Sequence, residues 1–284
     1  MIPDYNEHGD SVRQFMDYFY LKAERPGESF LSAILAHFSR IPYENISKII
    51  KWHEHFDDKN QFRMPEEVMA DHAAWQLGGT CFSLTFFLQT LLSYNGFQCY
   101  PVTADMRAGE NIHSALIVSM QQKKSLVDPG YLLNRPMLMD PQQPRMYRTE
   151  HTGIELQFDS ATRRFHLFTF DRHGSKWRYS FMDVPVTPQK FLHHWQESFH
   201  RNSLHGISLT KIQPDGLIYI HKNFMRKTNL AGKKNFNIRS NYHDTIHSIF
   251  GIKPELVEQA LYALDSNLQR ERELGLFVKE KARL

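Results

Sequence analysis

The chain has 284 residues, of which 41% are hydrophobic and 23% charged, so it can bury a core and is not an intrinsically disordered polymer. Its 34 lysines and arginines against 31 aspartates and glutamates give a net charge of +3, too small a bias to indicate nucleic-acid binding. Polar residues interrupt every apolar run before the roughly 18 residues that a membrane-spanning helix needs.

Helical periodicity dominates the first third of the sequence. It predicts four helices, over residues 11–22, 28–39, 65–76 and 80–94. Pro65 followed by two glutamates is typical of a helix start, and Asn95-Gly96 is typical of a helix end. The fourth helix follows Gly78-Gly79, with Thr80 at the position of an N-cap.

From residue 97 the hydrophobic period changes to two, which indicates β-strands. The predicted strands cover residues 98–104, 112–120, 125–127, 155–158, 165–170 and 177–181. They predict an antiparallel sheet or small barrel, because several short strands follow one another with turn residues between them. Residues 109–111 and 135–148 look like loops.

The last third combines helices with a hairpin. A helical connection is predicted over 185–199, a hairpin over 207–222 with its turn at Pro214-Asp215-Gly216, and closing helices over 244–250 and 254–270. The basic run 222–239 is interpreted as a solvated loop.

The chain contains two cysteines, Cys81 and Cys99, which excludes a disulfide framework and a cysteine-rich zinc site. The first residues lack the basic and apolar regions of a secretory signal. Few thiols and no export signal are typical of the reducing cytoplasm. We therefore expect a cytoplasmic monomer or homodimer that binds neither nucleic acid nor membrane.

Cys81 is the first candidate for chemistry. It lies at the start of a predicted helix, whose N-terminus favours an anion such as a thiolate. Gly78-Gly79 permits close approach of a substrate and leaves amide N–H groups free to stabilise an oxyanion. The alternative is that Cys81 is a small apolar core residue, where free cysteines are often found. We interpret Cys99 as a core residue of a strand.

A nucleophilic cysteine needs a base and a group that orients the base. A two-residue turn at Gln121-Gln122 would place Met120 opposite Lys123 in a hairpin. In that register His113 lies diagonally from Asp128 on one face, within reach of a hydrogen bond. With 16 histidines in the chain, such a pair can also arise by chance. No histidine pair has the His-Glu-x-x-His spacing of a zinc hydrolase, so no metal is expected.

Three segments, residues 78–82, 111–116 and 126–131, resemble in order and spacing the catalytic segments of the arylamine N-acetyltransferases. Residues 41–46, 209–220 and 249–252 resemble three further elements of that family. The resemblance implies an α+β fold with a papain- or transglutaminase-like core. It implies a helical domain over 1–95 carrying the nucleophile, an antiparallel β-barrel domain over 96–200 carrying the histidine and aspartate, and an α/β lid over 201–284.

The resemblance also implies a catalytic triad of Cys81, His113 and Asp128. Cys81 would take an acetyl group from acetyl-CoA, the co-substrate, as a thioester. His113 would act as base and proton shuttle, and Asp128 would hold its tautomer. The acetyl group would pass to an arylamine, hydrazine or N-hydroxyarylamine. The residues implied to contact the donor are Gly109, Glu110, Gly130 and Tyr131, and those implied to contact the acceptor are Tyr43, Phe82 and Ile112.

The sequence departs from the family pattern at Leu77, where the family has arginine, at Ser83, and at Pro129 and Leu132 after the aspartate. These departures leave the donor and acceptor open. One alternative is an amide synthase or another acyltransferase that uses a different donor. The others are a papain-like hydrolase with water as acceptor and a non-enzymatic binding module. The basic run 222–239 could alternatively contact the phosphates of CoA.

Overall fold

The computed structural model of the protein describes residues 4–56, 58–149, 151–172, 174–201 and 204–276. The ends of the first and third expected domains, residues 1–3 and 277–284, lie outside the described residues. Among the described residues, no helix has both the length and the apolar character to cross a membrane.

Five helices and one short strand form the first part of the chain. They are α1 (Gly9–Tyr18), α2 (Glu28–Phe38), β1 (Tyr43–Glu44), α3 (Ile46–Glu54), α4 (Pro65–Trp75) and α5 (Cys81–Tyr94). Helix α1 ends earlier than predicted because Tyr20 adopts a left-handed backbone conformation, with φ of 55°. Helix α3 was not predicted, since the polar residues Ser47 and Lys48 are buried in it and interrupt its apolar pattern.

Eight antiparallel strands form the central sheet. They are β2 (Gln98–Met106), β3 (Gly109–Met120), β4 (Lys123–Val127), β5 (Met137–Leu138), β6 (Arg145–Arg148), β7 (Gly153–Asp159), β8 (Arg164–Asp171) and β9 (Gly174–Phe181). Their order is β5-β4-β3-β2-β9-β8-β7-β6, and the edge strands β5 and β6 contact each other. The sheet is therefore a nearly closed barrel, as predicted.

Two stretches predicted as loops contain strand residues instead. Strand β3 begins at Gly109, and β5 and β6 lie within 135–148. The start of β3 has no regular alternation because Asn111 is left-handed, with φ of 51°. Strands β5 and β6 are too short to show a hydrophobic period.

The final part adds helix α6 (Pro188–Glu197), a second sheet and two more helices. The new strands are β10 (Ser208–Gln213), β11 (Gly216–His221), β12 (Phe224–Asn229) and β13 (Gly232–Asn237), followed by α7 (Tyr242–Phe250) and α8 (Pro254–Glu273). The second sheet is antiparallel in the order β1-β10-β11-β12-β13.

The prediction of a loop over 222–239 is wrong, because this segment forms the β12–β13 hairpin. Its strands lack buried residues at alternate positions, so period two is absent.

Helix α5 lies at the centre of the molecule. Every residue from Cys81 to Leu92 is buried. One side of α5 packs against the N-terminal helices and the barrel, and the other side packs into the apolar cluster that contains residues of α6 and α8. A helix that is apolar all round is one buried on all sides. The position of Cys81 is therefore set by three parts of the structure at once.

Candidate active site

Cys81 is the first residue of α5, and a short strand holds the segment before it. Strand β1 forms a parallel bridge to this segment through Tyr43 and Gly79. The Glu44 amide donates to the Gly79 carbonyl at 3.0 Å. Thr80 is the N-cap residue, but its hydroxyl makes no capping hydrogen bond. The first-turn amides of α5 therefore lack a side-chain cap and can serve an incoming anion.

His113 and Asp128 meet on one face of the barrel. Strands β3 and β4 pair in the predicted register, with Met120 opposite Lys123. His113 Nε2 lies 2.8 Å from Asp128 Oδ2, so the predicted diagonal contact is confirmed. Because Nε2 faces the carboxylate, Nδ1 is left for Cys81, which lies close enough to the imidazole to raise its pKa.

The Asp128 carboxylate is completely buried and receives two further hydrogen bonds. The Tyr179 hydroxyl donates to Oδ2 at 2.6 Å, and the Tyr131 amide donates to Oδ1 at 3.1 Å. A buried carboxylate is stable only when such donors replace water. Tyr179 was not singled out in the sequence, where it is one aromatic residue among others in a predicted strand.

The charge state of His113 follows from its two neighbours. Burial by itself would lower the pKa of His113, but the Asp128 carboxylate and the Cys81 thiolate together raise that pKa to about 10. The imidazolium form is therefore favoured at neutral pH. An imidazolium beside a cysteine stabilises the thiolate, which is the nucleophilic form of the thiol.

Gly130 lies directly against all three side chains. A Cβ at this position would be 2.8 Å from His113 Cε1, 3.0 Å from Cys81 Cβ and 3.3 Å from Asp128 Oδ1. The same distances show that Cys81 and His113 are neighbours across this glycine. A side chain larger than that of glycine would therefore collide with the three candidate catalytic residues at this position.

Gly130→Ala should displace the His113 ring from Cys81. We expect kcat/KM to fall about 100-fold, the cost of a displacement of roughly 1 Å in a reacting geometry. Gly27→Ala is the matched control, since a Cβ there meets only the Arg25 carbonyl at an ordinary 3.7 Å. Steady-state kinetics and thermal unfolding of both variants make the comparison. Wild-type kcat/KM in a folded Gly130→Ala protein would contradict this prediction.

Three tyrosines surround the nucleophile. Tyr43 in β1 is opposite Thr210, which is opposite Tyr219 in β11, so Tyr43 and Tyr219 lie on one face of the second sheet. Burial, followed by the nearby Cys81 and Tyr219, raises the pKa of Tyr43. The Tyr131 ring packs edge-on against His113, with centroids 5.4 Å apart. Tyr43 therefore lies close to Cys81, and Tyr131 lies against His113.

The other implied contact residues lie in different surroundings. The Ile112 carbonyl is 3.9 Å from Cys81 Sγ, whereas Gly109 and Glu110 lie at the outer end of β3. Phe82 is completely buried and packs against Phe191, with ring centroids 5.5 Å apart. Its side chain thus belongs to the core behind Cys81.

A buried charge network supports the Gly78-Gly79 segment. The Glu44 carboxylate accepts hydrogen bonds from the Ser47 amide at 2.9 Å and the Gly78 amide at 3.2 Å. Arg63 Nη1 lies 3.6 Å from Glu44 Oε1, and Arg63 Nη2 donates to Asp71 at 2.8 Å. Both members of the Arg63–Glu44 pair are buried, at 3% and 0% exposed. Their side chains are distant in sequence, so no motif indicated the pairing.

This network bears on the departure at position 77. Leu77 is buried in the apolar core, and its carbonyl accepts a hydrogen bond from His72 at 2.9 Å. The cation beside Glu44 is Arg63, which precedes α4. The segment before Cys81 is thus anchored without an arginine at position 77.

Arg63→Met should leave the Glu44 carboxylate buried without its counter-charge. We expect the free energy of unfolding to fall by about 3–5 kcal/mol, the usual cost of removing one partner of a buried ion pair. The double variant Glu44→Gln/Arg63→Met removes both charges and should recover part of that loss. Urea unfolding measures both. A single-variant loss below about 1 kcal/mol, typical of an exposed pair, would show that the network is not stabilising.

A second buried cation lies near Cys81. Lys48 Nζ donates to the Ser198 carbonyl at 3.0 Å and lies 4.2 Å above the Phe199 ring. Burial lowers the pKa of Lys48 to about 7, although the Cys81 thiolate opposes that shift. Lys48 thereby joins α3 to the turn that follows α6.

Among the residues that the structure describes, no cluster of three or more histidine, cysteine, aspartate or glutamate side chains could hold a metal ion.

Known structures show the same fold. The arylamine N-acetyltransferase of Mycobacterium abscessus is 16% identical, with a TM-score of 0.78 over 93% of this chain and 98% of that one. The Mycobacterium tuberculosis enzyme is 17% identical, with a TM-score of 0.74 over 89% and 99%. That of Bacillus cereus, described as having a unique Cys-His-Glu triad, is 17% identical, with a TM-score of 0.67 over 86% and 99%.

Sequence comparison places the chain in the same group. No curated protein matches it, but a family model described as N-acetyltransferase matches residues 28–258. That match spans most of the chain, from α2 to the start of α8, and includes all three candidate catalytic residues. The chain therefore belongs to the arylamine N-acetyltransferase family.

Proposed function

We propose that the protein transfers an acetyl group from acetyl-CoA to an arylamine or related amine through a thioester on Cys81. One observation carries the proposal. A fully buried Asp128 holds the His113 imidazole at 2.8 Å, and that imidazole adjoins a cysteine at the N-terminus of a helix. This arrangement supplies a nucleophile, its base and the group that orients the base.

In the first half-reaction the Cys81 thiolate, paired with the His113 imidazolium, attacks the thioester carbonyl. A carbon–sulfur bond to Cys81 forms, and the carbonyl oxygen becomes an oxyanion near the uncapped amides of α5. The intermediate collapses as the bond to the CoA sulfur breaks. The CoA thiolate takes the proton from His113 and leaves as a thiol.

In the second half-reaction the amine nitrogen attacks the acetyl carbon of the Cys81 thioester. His113 accepts the proton that the nitrogen loses, the bond to Cys81 breaks, and the amide leaves. The Cys81 thiolate and the His113 imidazolium remain, which restores the starting protonation. Asp128 keeps its charge throughout and stabilises the imidazolium.

The three-part division 1–95, 96–200 and 201–284 is part of the same proposal. The first part contributes Cys81 at the start of α5, the second contributes His113 and Asp128 from the barrel, and the third contributes Tyr219 from the second sheet. We propose that the third part acts as the lid over the cleft.

Intact-protein mass measurement tests the mechanism. Incubation with acetyl-CoA should add one acetyl group to the wild-type protein, and a later addition of an arylamine should remove that group and yield the amide. Loss of the adduct at the same rate without an amine would indicate a hydrolase. An adduct formed only from other acyl thioesters would indicate an amide synthase. No adduct and no reaction of Cys81 with iodoacetamide would indicate a binding module.

A further inference from the structure

Four basic side chains meet where the barrel faces the second sheet. They are Arg107 in the β2–β3 turn, Lys176 and Arg178 in β9, and Arg226 in β12, here called the cationic rim. Strands β2 and β9 pair up to Met106 opposite Tyr179, which places Arg107 beside Arg178 at the next position. Arg107 and Arg178 are thus neighbours by register.

The β12–β13 hairpin brings the fourth cation to the same place. Lys233 in β13 forms an ion pair with Asp171 at the end of β8, with 2.6 Å between Nζ and Oδ2. This contact joins the hairpin to the strand next to β9. The charge of Arg178, then burial, then the charge of Arg226, lower the pKa of Lys176. Repulsion of this kind requires that the cations lie close together.

The rim lacks neutralising carboxylates. Within the described parts of the chain, none of the four rim residues forms an ion pair, and the nearby acids Asp105 and Asp171 are paired with Arg164 and Lys233. Arg178 Nε donates to Thr169 at 2.6 Å, and Arg226 Nε donates to Asn235 at 2.9 Å. These neutral acceptors orient the two guanidinium groups and leave their terminal nitrogens for a ligand.

The rim adjoins the triad on two sides. The charge of Arg178 acts on Tyr131, whose ring packs against His113. Arg226 is directly opposite Tyr219 in the sheet, and Tyr219 is close to Tyr43 and hence to Cys81. An anion held by the rim would therefore be one layer of side chains away from the nucleophile.

We propose that the cationic rim binds the phosphate groups of a phosphorylated acyl donor while the thioester reaches Cys81. Guanidinium groups oriented by neutral acceptors suit phosphate oxygens, which accept paired hydrogen bonds. Three cations come from the barrel and one from the hairpin, so the ligand would join the two sheets. The inference rests on the proposed function, because the phosphates identify the donor only if Cys81 is acylated.

The test compares donors that share one thioester but differ in phosphate content. Acetyl-CoA, acetyl-3′-dephospho-CoA and acetyl-pantetheine are each incubated with the full-length protein, and acylation of Cys81 is followed by intact mass. The measured quantity is the efficiency with acetyl-CoA divided by that with acetyl-pantetheine. The double variant Lys176→Gln/Arg226→Gln should lower this ratio by about tenfold to a hundredfold, the usual value of a hydrogen bond to a charged group. The dephospho donor shows which phosphate the rim contacts.

Two control variants isolate the effect of charge. Lys123→Gln removes an exposed lysine at the β3–β4 turn, the opposite end of β3 from His113, and should keep the wild-type ratio. Lys176→Arg/Arg226→Lys keeps both charges and should retain most of the ratio, which separates a charge effect from misfolding. Equal efficiencies with acetyl-CoA and acetyl-pantetheine in the wild type, or an unchanged ratio in the glutamine variant, would overturn the inference. No adduct from any of the three donors would overturn the proposed function as well.

Discussion

Replacing Cys81 by alanine should abolish acyl transfer, whereas replacing Cys99 by alanine should leave it intact. The chemistry needs a sulfur beside His113, and loss of the nucleophile in a triad of this kind costs about 10⁶ in kcat. Cys99 is half-buried, and burial raises the pKa of its thiol to about 11, so it stays protonated at neutral pH. Steady-state rates and intact masses of both variants after incubation with acetyl-CoA make the comparison.

The same pair of variants tests the site itself. An acetyl adduct that persists in the Cys81→Ala protein would place the nucleophile elsewhere. Cys81→Ser provides a further control, because a hydroxyl at this position keeps the shape of the side chain but is a far weaker nucleophile than a thiolate. Equal rates for Cys81→Ser and the wild type would contradict thioester chemistry.

Replacing Asp128 by asparagine should lower kcat by about 10⁴, the loss measured for the corresponding change in a serine protease. The amide keeps the shape of the carboxylate but removes the charge that favours the His113 imidazolium. The pKa of His113, about 10 in the intact site, should therefore fall. The alkaline limb of the pH–rate profile, where the imidazolium loses its proton, should then move to lower pH.

The pH profile separates positioning from stability. Asp128 accepts three hydrogen bonds through both of its oxygens, and an asparagine NH₂ accepts none, so either orientation of the amide loses at least one of them and the variant should also melt at a lower temperature. A folded variant with an unshifted profile and less than a tenfold loss in kcat would show that Asp128 only supports the loop after β4.

Local sequence signals predict much of the barrel and the triad. The hairpin register places His113 near Asp128, because in a sheet the turn determines which residues face each other. The start of α5 at Cys81 follows from the glycine pair and the apolar run after it. These features depend on residues that are close in sequence, so local rules apply to them.

The rest of the site depends on contacts between distant residues. Arg63 meets Glu44, and Tyr179 meets Asp128, only after the helices and strands have packed. Neither strand of the β12–β13 hairpin has a buried face, since β12 is half-buried and β13 largely exposed along its length, so the sequence carries no apolar alternation. Phe82 is an example at the nucleophile itself, since its ring packs in the core against Phe191, which lies more than 100 positions later.

Strand β1 has a consequence for the order in which the protein is made. Asn45 at its end is hydrogen-bonded to Ser208, 163 positions later, and Asn267 in α8 is hydrogen-bonded to Ile49 in α3, 218 positions later. During synthesis the barrel strands, which end at Phe181, emerge before Ser208 and Asn267, so His113 and Asp128 can pair before either contact forms. The segment that precedes Cys81, which β1 holds at the start of α5, thus acquires its final support only after most of the chain has emerged, so we expect the thiol to be the last part of the active centre to be positioned during synthesis.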